Sequence, residues 1–430
     1  MPLRSAFYGD DFTGATDTLA TYADAGWRTR LFLGVPTARQ LAASGALDVI
    51  GIAGAARALP PEAMADELAP VAAFFAALEA PLLHYKCCST FDSAVDTGNL
   101  ATAIAALRVA AEHPQVAIVG GQPSLGRYCL FGQLFASAGS PGAVHRIDRH
   151  PTMSRHPVTP MHEADLSRHL AALGLEPPGT IDWRALDAGL AASRWAALAD
   201  ARTRHVLFDA QHAGHIAAIG RLLWHEARQA RLLAVGASSV AEALLGAWRD
   251  AGDLPPSTPA PAVAAATGPV LVIAGSRSPV TAEQVRRASA YELLPVAPAQ
   301  LAGATAQLDV IAADAAQRLG GGRSVLLQLG AEPAEVPPAA LAQACGELLV
   351  EVLARAPALR RVGIAGGDTS SLALRRLGPW ALSAAGRLGS GVTLVRAHAD
   401  TPRHDGLELM LKGGQMGPPD LFDRLLAGSA

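Results

Sequence analysis

Short apolar runs recur along the whole chain, and each one stops at glycine or a polar residue before an Ala/Leu-rich helical pattern begins. In the first half they read SAFYG, TRLFLG, DVIGIAG, LLHYK, VAIVGG, HVLFDA and RLLAVG; in the second, VLVIAGSRSP, SVLLQLG, RVGIAGGDTS and LELMLKGG. Strands that alternate with helices build α/β layers around a largely parallel sheet. Such a sheet collects its ligands at the C-terminal ends of its strands. At 430 residues the chain exceeds what one core usually serves, so two domains are expected. A Pro/Ala-rich stretch, GDLPPSTPAPAVAAATGP, has no periodicity and reads as a linker. The expected architecture is α/β, with two domains, each a mostly parallel or mixed sheet flanked by helices, and an interdomain cleft. The division runs 1–250, a linker over 251–268, and 269–430.

Composition narrows the function. The formal charge is −3, from 35 Lys plus Arg against 38 Asp plus Glu, and no basic run stands out, which speaks against nucleic acid as a partner. No apolar run reaches membrane-spanning length, and MPLRSAFYGDD lacks a signal peptide's apolar region. Four cysteines make neither a disulfide framework nor a metal-ligand spacing, and the reducing cytoplasm is the expected location. Cys87 and Cys88 read as small buried residues.

Asp10 and Asp11 follow the first strand, and Thr13 and Gly14 open a helix. One carboxylate there caps the helix. A second adjacent negative charge needs a cation or a proton donor, so the pair reads as base and orienter for a hydroxylated substrate, or as partial Mg²⁺ ligands. The chain holds only two lysines, Lys86 and Lys412, and one asparagine, Asn99. Lys86 ends the strand LLHYK, where a compact ammonium can neutralise a carboxylate or a migrating phosphoryl group. Asp92, in the loop that follows, can orient a hydroxyl, and Asn99 is placed to cap the next helix. Arg57 follows a third strand end. Gly121 and Gln122 follow VAIV, in a polar loop that ends at Arg127. Residues 146–166 concentrate His, Arg and Pro in a long loop of the kind that binds or covers ligands. The four histidines of 145–162, His150 and His156 among them, show no metal spacing.

In the second half, GSRSPVTAEQV sets Gly275, Ser276 and Ser278 before a helix that starts at Pro279. GIAGGDTSSLALRRLG repeats the device with Gly366, Gly367, Asp368, Thr369 and Ser370, and LKGGQMG closes with Lys412, Gly413 and Gly414. Glycines permit close backbone approach, and helix N-termini offer N–H groups to an anion. Neither GxxxxGK[ST] nor GxGxxG is present. Three such turns beside the second lysine suggest a nucleotide-phosphate site. With the polar first half, they suggest phosphoryl transfer.

Taken together, Asp10-Asp11-x-Thr13-Gly14-Ala15, Lys86-x-Cys88-Ser89-Thr90-Phe91-Asp92-Ser93, His156-Pro157-Val158-Thr159-Pro160-Met161, Gly275-Ser276-x-Ser278, Gly366-Gly367-Asp368-Thr369 and Lys412-x-Gly414 resemble the four-carbon acid sugar kinase family over nearly the full length. The resemblance implies an N-terminal sugar-acid-binding domain, a C-terminal ATP-binding domain, and ATP- and Mg²⁺-dependent phosphorylation of a terminal hydroxyl. The acid it implies is a 3-oxo-tetronate, erythronate or threonate, and the Cys-Ser-Thr-Phe-Asp-Ser form is closest to the 3-oxo-tetronate kinase branch. Under it, Asp10 or Asp11 accepts the hydroxyl proton, with Asp92 the less favoured base, and Arg57 and Lys86 face the acid or the transferred phosphoryl group. Thr13, Gly14, Ser89, Thr90, Gly121, Gln122, His156, Thr159 and Met161 would line the acid. Ser276, Ser278, Gly366, Gly367, Asp368, Thr369, Lys412, Gly413 and Gly414 would hold ATP, with no particular metal ligand assigned. Four departures stand out, one of them Gly236-Ala237-Ser238-Ser239, a loose match to a Gly-Ser-x-Gly block. The segment 94–100 is longer than usual and resembles relatives acting on 3-oxo-isoapionate. Gly-Gly-Asp-Thr replaces Gly-Gly-Glu-Thr, and Lys-Gly-Gly-Gln-Met-Gly replaces Lys-Ser-Gly-x-Phe-Gly.

Two other classes compete: a non-catalytic sugar-acid sensor, and an aldolase or isomerase that uses Lys86 as a Schiff base. Homo-oligomerisation is left open.

Overall fold

The structure, a computed structural model, describes residues 3–138, 142–156, 158–253, 262–301, 305–330 and 336–429, with 305, 306 and 368 described by backbone alone. Two compact units emerge, Met1–Thr258 and Pro259–Ala430. Pro157 and residues 254–261 of the Pro-rich stretch lie outside the described residues.

The first unit contains β1 (Ser5–Gly9), β2 (Thr29–Phe32), β3 (Val49–Ala53), β4 (Leu82–Lys86), β5 (Val116–Val119), β6 (Arg127–Leu130), β7 (Gln133–Ser137), β8 (Val144–Arg146), β9 (Gly179–Ile181), β10 (His205–Phe208) and β11 (Leu232–Gly236). Its main sheet has the order β2-β3-β1-β4-β11-β5-β10-β9 and is parallel throughout. Strands β1, β3, β4 and β11 are buried along their full length, as continuous apolar runs covered by helices on both faces must be. Tyr8 stacks on Tyr85 across β1 and β4 at 5.8 Å, within a core shared with the helices Pro61–Ala77 and Leu100–Arg108.

After β1 the chain lays β2 and β3 on one side, then crosses to place β4 on the other. This reversal leaves a crevice at the strand C-termini between β1 and β4, the usual ligand position in an open parallel sheet. The register pairs Gly9 with both Ala53 and Lys86, so the segments after β1, β3 and β4 start at one level.

Strands β6, β7 and β8 form a small separate antiparallel sheet that no apolar run announces. RYCL, QLFAS and VHR are short and half exposed, too polar for the buried-strand pattern.

The second unit contains β12 (Val270–Ala274), β13 (Glu292–Val296), β14 (Val325–Leu329), β15 (Arg361–Ala365), β16 (Ala381–Gly389), β17 (Val392–His398) and β18 (Glu408–Lys412). Order β13-β14-β12-β15-β18 is parallel, and β17 and β16 continue it antiparallel, giving a mixed sheet. Its reversal falls between β12 and β15, since β13 and β14 lie on one side of β12 and β15 on the other. Ala274 pairs with Ala365, and Ala365 with Lys412, so all three glycine turns leave adjacent strand ends. No helix among the described residues is long and apolar enough to cross a membrane.

Candidate active site

At the crevice of the first unit, Asp11 caps the helix Phe12–Asp24 by accepting from the Gly14 N–H. Its other oxygen accepts from Arg57 Nη1 at 2.7 Å, while Arg57 Nη2 donates to Asp92 Oδ2 at 2.6 Å. One guanidinium thus ties the β1 turn to the loop after β4. Asp92 is fixed further by the hydroxyls of Thr90 and Thr159, the latter at 3.1 Å. His156 Nδ1 accepts from the Thr159 N–H at 3.1 Å and holds that residue in place.

Lys86 is 5% exposed, and its Nζ lies 3.9 Å from Asp10 Oδ1. A Cβ on Gly14 would come within 1.5 Å of that nitrogen, so only glycine lets the ammonium reach the helix N-terminus. Burial opposes the Lys86 charge, but Asp11 and Asp10 outweigh it and raise the pKa. A raised pKa is the opposite of what activates a Schiff-base lysine.

The two adjacent aspartates are driven apart. Asp10 is 4% exposed, and its Oδ1 has no hydrogen-bond partner among the described residues. Burial lifts its pKa to about 7 against the pull of Lys86. Burial also opposes ionisation of Asp11, but Lys86, Arg57 and the Gly14 N–H overcome it and bring that pKa down to about 2. Asp92 is likewise lowered, because Arg57 and Thr90 outweigh its burial. The neighbouring carboxyls are thus pushed in opposite directions, Asp10 up and Asp11 and Asp92 down, the kind of split by which a site separates its acid from its base.

The remaining expected residues are placed as follows. Thr13 lies in the first turn of the helix Phe12–Asp24, and Ser89 and Thr90 lie in the turn after β4, Ser89 half-buried. Gly121 and Gln122 follow β5, where Gln122 Nε2 donates to Ser238 Oγ at 2.9 Å and Glu242 Oε1 at 3.0 Å. Ser238 in turn donates to Asp17, one turn beyond Gly14 on the same helix. Met161 is fully buried in the core. Asn99 caps the helix Leu100–Arg108 through the Thr102 N–H, as expected, and also donates to the Val95 and Leu173 carbonyls.

In the second unit, Gly366 adopts φ +132°, a conformation that suits glycine, as its chain leaves β15 and enters the helix Gly367–Leu377. Gly275 packs against Thr369, whose Oγ1 would meet an added Cβ at 2.6 Å. Ser278 caps the helix Pro279–Arg287 and donates to the Gly414 carbonyl, joining the first and third turns. Ser276 Oγ accepts from the Ser278 N–H. The Asp368 side chain lies outside the described residues. Lys412, expected beside the nucleotide, turns its buried ammonium onto Thr281 Oγ1 at 2.9 Å and the carbonyls of Gly413, Gly414 and Met416 at 3.3 Å.

Sequence reasoning missed the second layer of the first crevice. Glu67 accepts from Tyr8 OH and from the Ala55 N–H at 2.8 Å, pinning the turn that carries Arg57. No motif points to Glu67, which is one acidic residue among several on an amphipathic helix. One cluster of potential metal ligands, Asp187, His212 and His215, lies elsewhere in this unit. Both imidazole Nδ1 atoms accept backbone N–H groups, so each neutral ring keeps its proton on Nε2, facing Asp187. A metal would need those Nε2 lone pairs.

Residues 5–244 match the family described as the sugar-binding N-terminal domain, and residues 271–422 the one described as the nucleotide-binding C-terminal domain. The chain belongs to the four-carbon acid sugar kinase family. It is 38% identical to a 3-oxo-isoapionate kinase of Paraburkholderia graminis, covering 99% of this chain and 94% of that one. It is 32% identical to a 3-oxo-tetronate kinase of Cupriavidus necator, covering 97% and 95%. Among solved structures, a Salmonella typhimurium LT2 protein aligns with a TM-score of 0.81 at 26% identity, covering 99% of this chain and 98% of that one. A Haemophilus influenzae protein aligns at 0.74 and 21%, covering 98% of each, and shares the fold. The chain is accordingly a sugar-acid kinase, a phosphotransferase.

Proposed function

We propose that this kinase transfers the γ-phosphoryl group of ATP to the terminal hydroxyl of a 3-oxo sugar acid, with Asp10 as general base. Residues 1–250 bind the acid and 269–430 the nucleotide. The observation that carries the proposal is the split between Asp10 and Asp11. Asp11 has both oxygens committed to Gly14 and Arg57, while Asp10 keeps a buried oxygen with no hydrogen-bond partner among the described residues, and burial lifts its pKa to about 7. A base poised near working pH combines the right protonation state with driving force for proton transfer. Lys86 and Arg57 offset charge on the acid and on the phosphoryl group.

The glycine turns after β12, β15 and β18 fit a triphosphate. They supply helix N-termini, the hydroxyls of Ser276 and Thr369, and glycine backbone that packs without side chains. Mg²⁺ brought in with ATP would supply neutralisation of the phosphate charge. Purified protein should release ADP only with both ATP/Mg²⁺ and a sugar acid present. Tight acid binding by calorimetry without ADP release would instead favour the sensor.

The acid itself has two readings. The Cys-Ser-Thr-Phe-Asp-Ser form suggests 3-oxo-tetronate, while the 38% relative supports the branched 3-oxo-isoapionate. The longer segment 94–98 adds to the second reading. It places an exposed Val95 in a loop whose Gly98 approaches the Arg57 carbonyl so closely that an added Cβ would lie 2.5 Å from that oxygen. We give the branched acid first place. A kcat/KM for 3-oxo-tetronate at least tenfold above that for 3-oxo-isoapionate would reverse the order.

A further inference from the structure

We propose that the Lys412 ammonium serves as a built-in monovalent cation that turns the Gly413–Gly417 backbone outward for an anion, making Lys412 a positioning residue for the nucleotide. The inference rests on the reading of this turn as a phosphate site.

Lys412 ends β18 with its side chain fully buried, and four oxygens surround Nζ: the Thr281 hydroxyl and the carbonyls of Gly413, Gly414 and Met416. None is a carboxylate, and Lys412 forms no ion pair among the described residues. A small ring of neutral hydroxyl and carbonyl oxygens is what a potassium or ammonium ion takes as ligands. With no carboxylate to support it, burial brings the Lys412 pKa down to about 8.

The helix Pro279–Arg287 completes the arrangement. Ser278 and Thr281 both donate to the Gly414 carbonyl, and Gln284 Nε2 lies 3.0–3.2 Å from the carbonyls of Met416, Gly417 and Pro418. The turn's carbonyls thus converge on one polar interior. In a trans peptide the N–H points opposite to the C=O. Drawing the carbonyls of 413, 414 and 416 inward therefore sends the N–H groups of Gly414, Gln415 and Gly417 the other way. Those three donate to no backbone acceptor among the described residues. A cation inside and N–H groups outside make an anion-binding concavity. Lysine fits better than a free ion because tethering removes the entropy of capture and any dependence on salt composition.

Two variants test this. Lys412→Met keeps the stem's length and volume and lacks only the ammonium; Lys412→Ala leaves room for n-propylammonium. Lys412→Met should weaken ATP binding by calorimetry at least tenfold while the sugar-acid KM stays within twofold. Added n-propylammonium, but not n-propanol, should recover ATP affinity and raise the melting temperature of Lys412→Ala. ATP affinity of Lys412→Met within twofold of wild type would overturn the proposal, as would equal recovery with n-propanol or none with either. If the wild-type protein binds no ATP, the nucleotide reading fails by itself. The amine-selective rise in melting temperature then still decides whether the ammonium shapes the turn.

Discussion

Lys86 Nζ stands 3.9 Å from Asp10 Oδ1, close enough to feel the carboxylate and too far to hydrogen-bond it. That Oδ1 is buried and accepts no hydrogen bond among the described residues, whereas both oxygens of the neighbouring Asp11 accept one.

Removing that oxygen's charge should stop the chemistry and spare binding. Asp10→Asn is expected to lower kcat by roughly 10²–10⁴ with both KM values within a few-fold. Asp11→Asn should act differently, raising the acid KM through the loosened Arg57. If both variants keep wild-type turnover, neither aspartate is the base.

Asp10 also sets a pH dependence. The base must be ionised, so kcat/KM for the acid should climb with pH through about 7 and level off above it. For stability the sign is opposite. A carboxyl whose folded pKa is raised from 3.8 favours the folded state at acid pH, and that contribution is lost as pH rises through about 7. Asp10→Asn should therefore melt higher than wild type at pH 8, with the difference vanishing near pH 4. Melting curves across that range check it.

Gly14→Ala puts a methyl group where Lys86 Nζ now sits. The ammonium must withdraw, and the helix N-terminus and Asp10 lose their shared cation. Turnover should fall at least about tenfold, as expected when a positioned charge is displaced at a preorganised site. Far-ultraviolet circular dichroism should remain unchanged.

Arg57→Lys is not conservative, because one ammonium cannot span Asp11 and Asp92 as two guanidinium nitrogens do. One carboxylate loses its charged partner, a loss of about 1–3 kcal/mol. The expected result is an acid KM raised about tenfold or more, with ATP KM unchanged, read from steady-state kinetics.

Asn99→Ala removes a helix cap outside the chemistry. It should cost about 1 kcal/mol in denaturant unfolding. It also frees the Val95 carbonyl from the Asn99 amide, so a changed ratio of branched to linear acid turnover would tie the 94–98 segment to substrate choice.

What the sequence disclosed and what it hid follow a physical division. Asp10, Arg57 and Lys86 were visible because each stands directly after an apolar run, and parallel register alone brings strand ends to one level. The three glycine turns were visible for the same reason. The direction of the Lys412 side chain was not, since a strand-end lysine can face a ligand or its own turn, and only the packing of Thr281 and Gln284 decides. Glu67 and the chain from Asp17 through Ser238 to Gln122 were hidden likewise. Their partners are tens to hundreds of residues away, and single polar residues on helices carry no spacing signal.

Both lysines of this chain are buried, Lys86 at 5% exposure and Lys412 at 0%. Folded protein should therefore shield every lysine side chain from an acylating reagent, while unfolding exposes two at once, one from each unit. Lysine labelling becomes a local clock for opening. Mass spectrometry of the two peptides reads the opening of the acid site and of the nucleotide turn separately, in one tube, without any engineered probe.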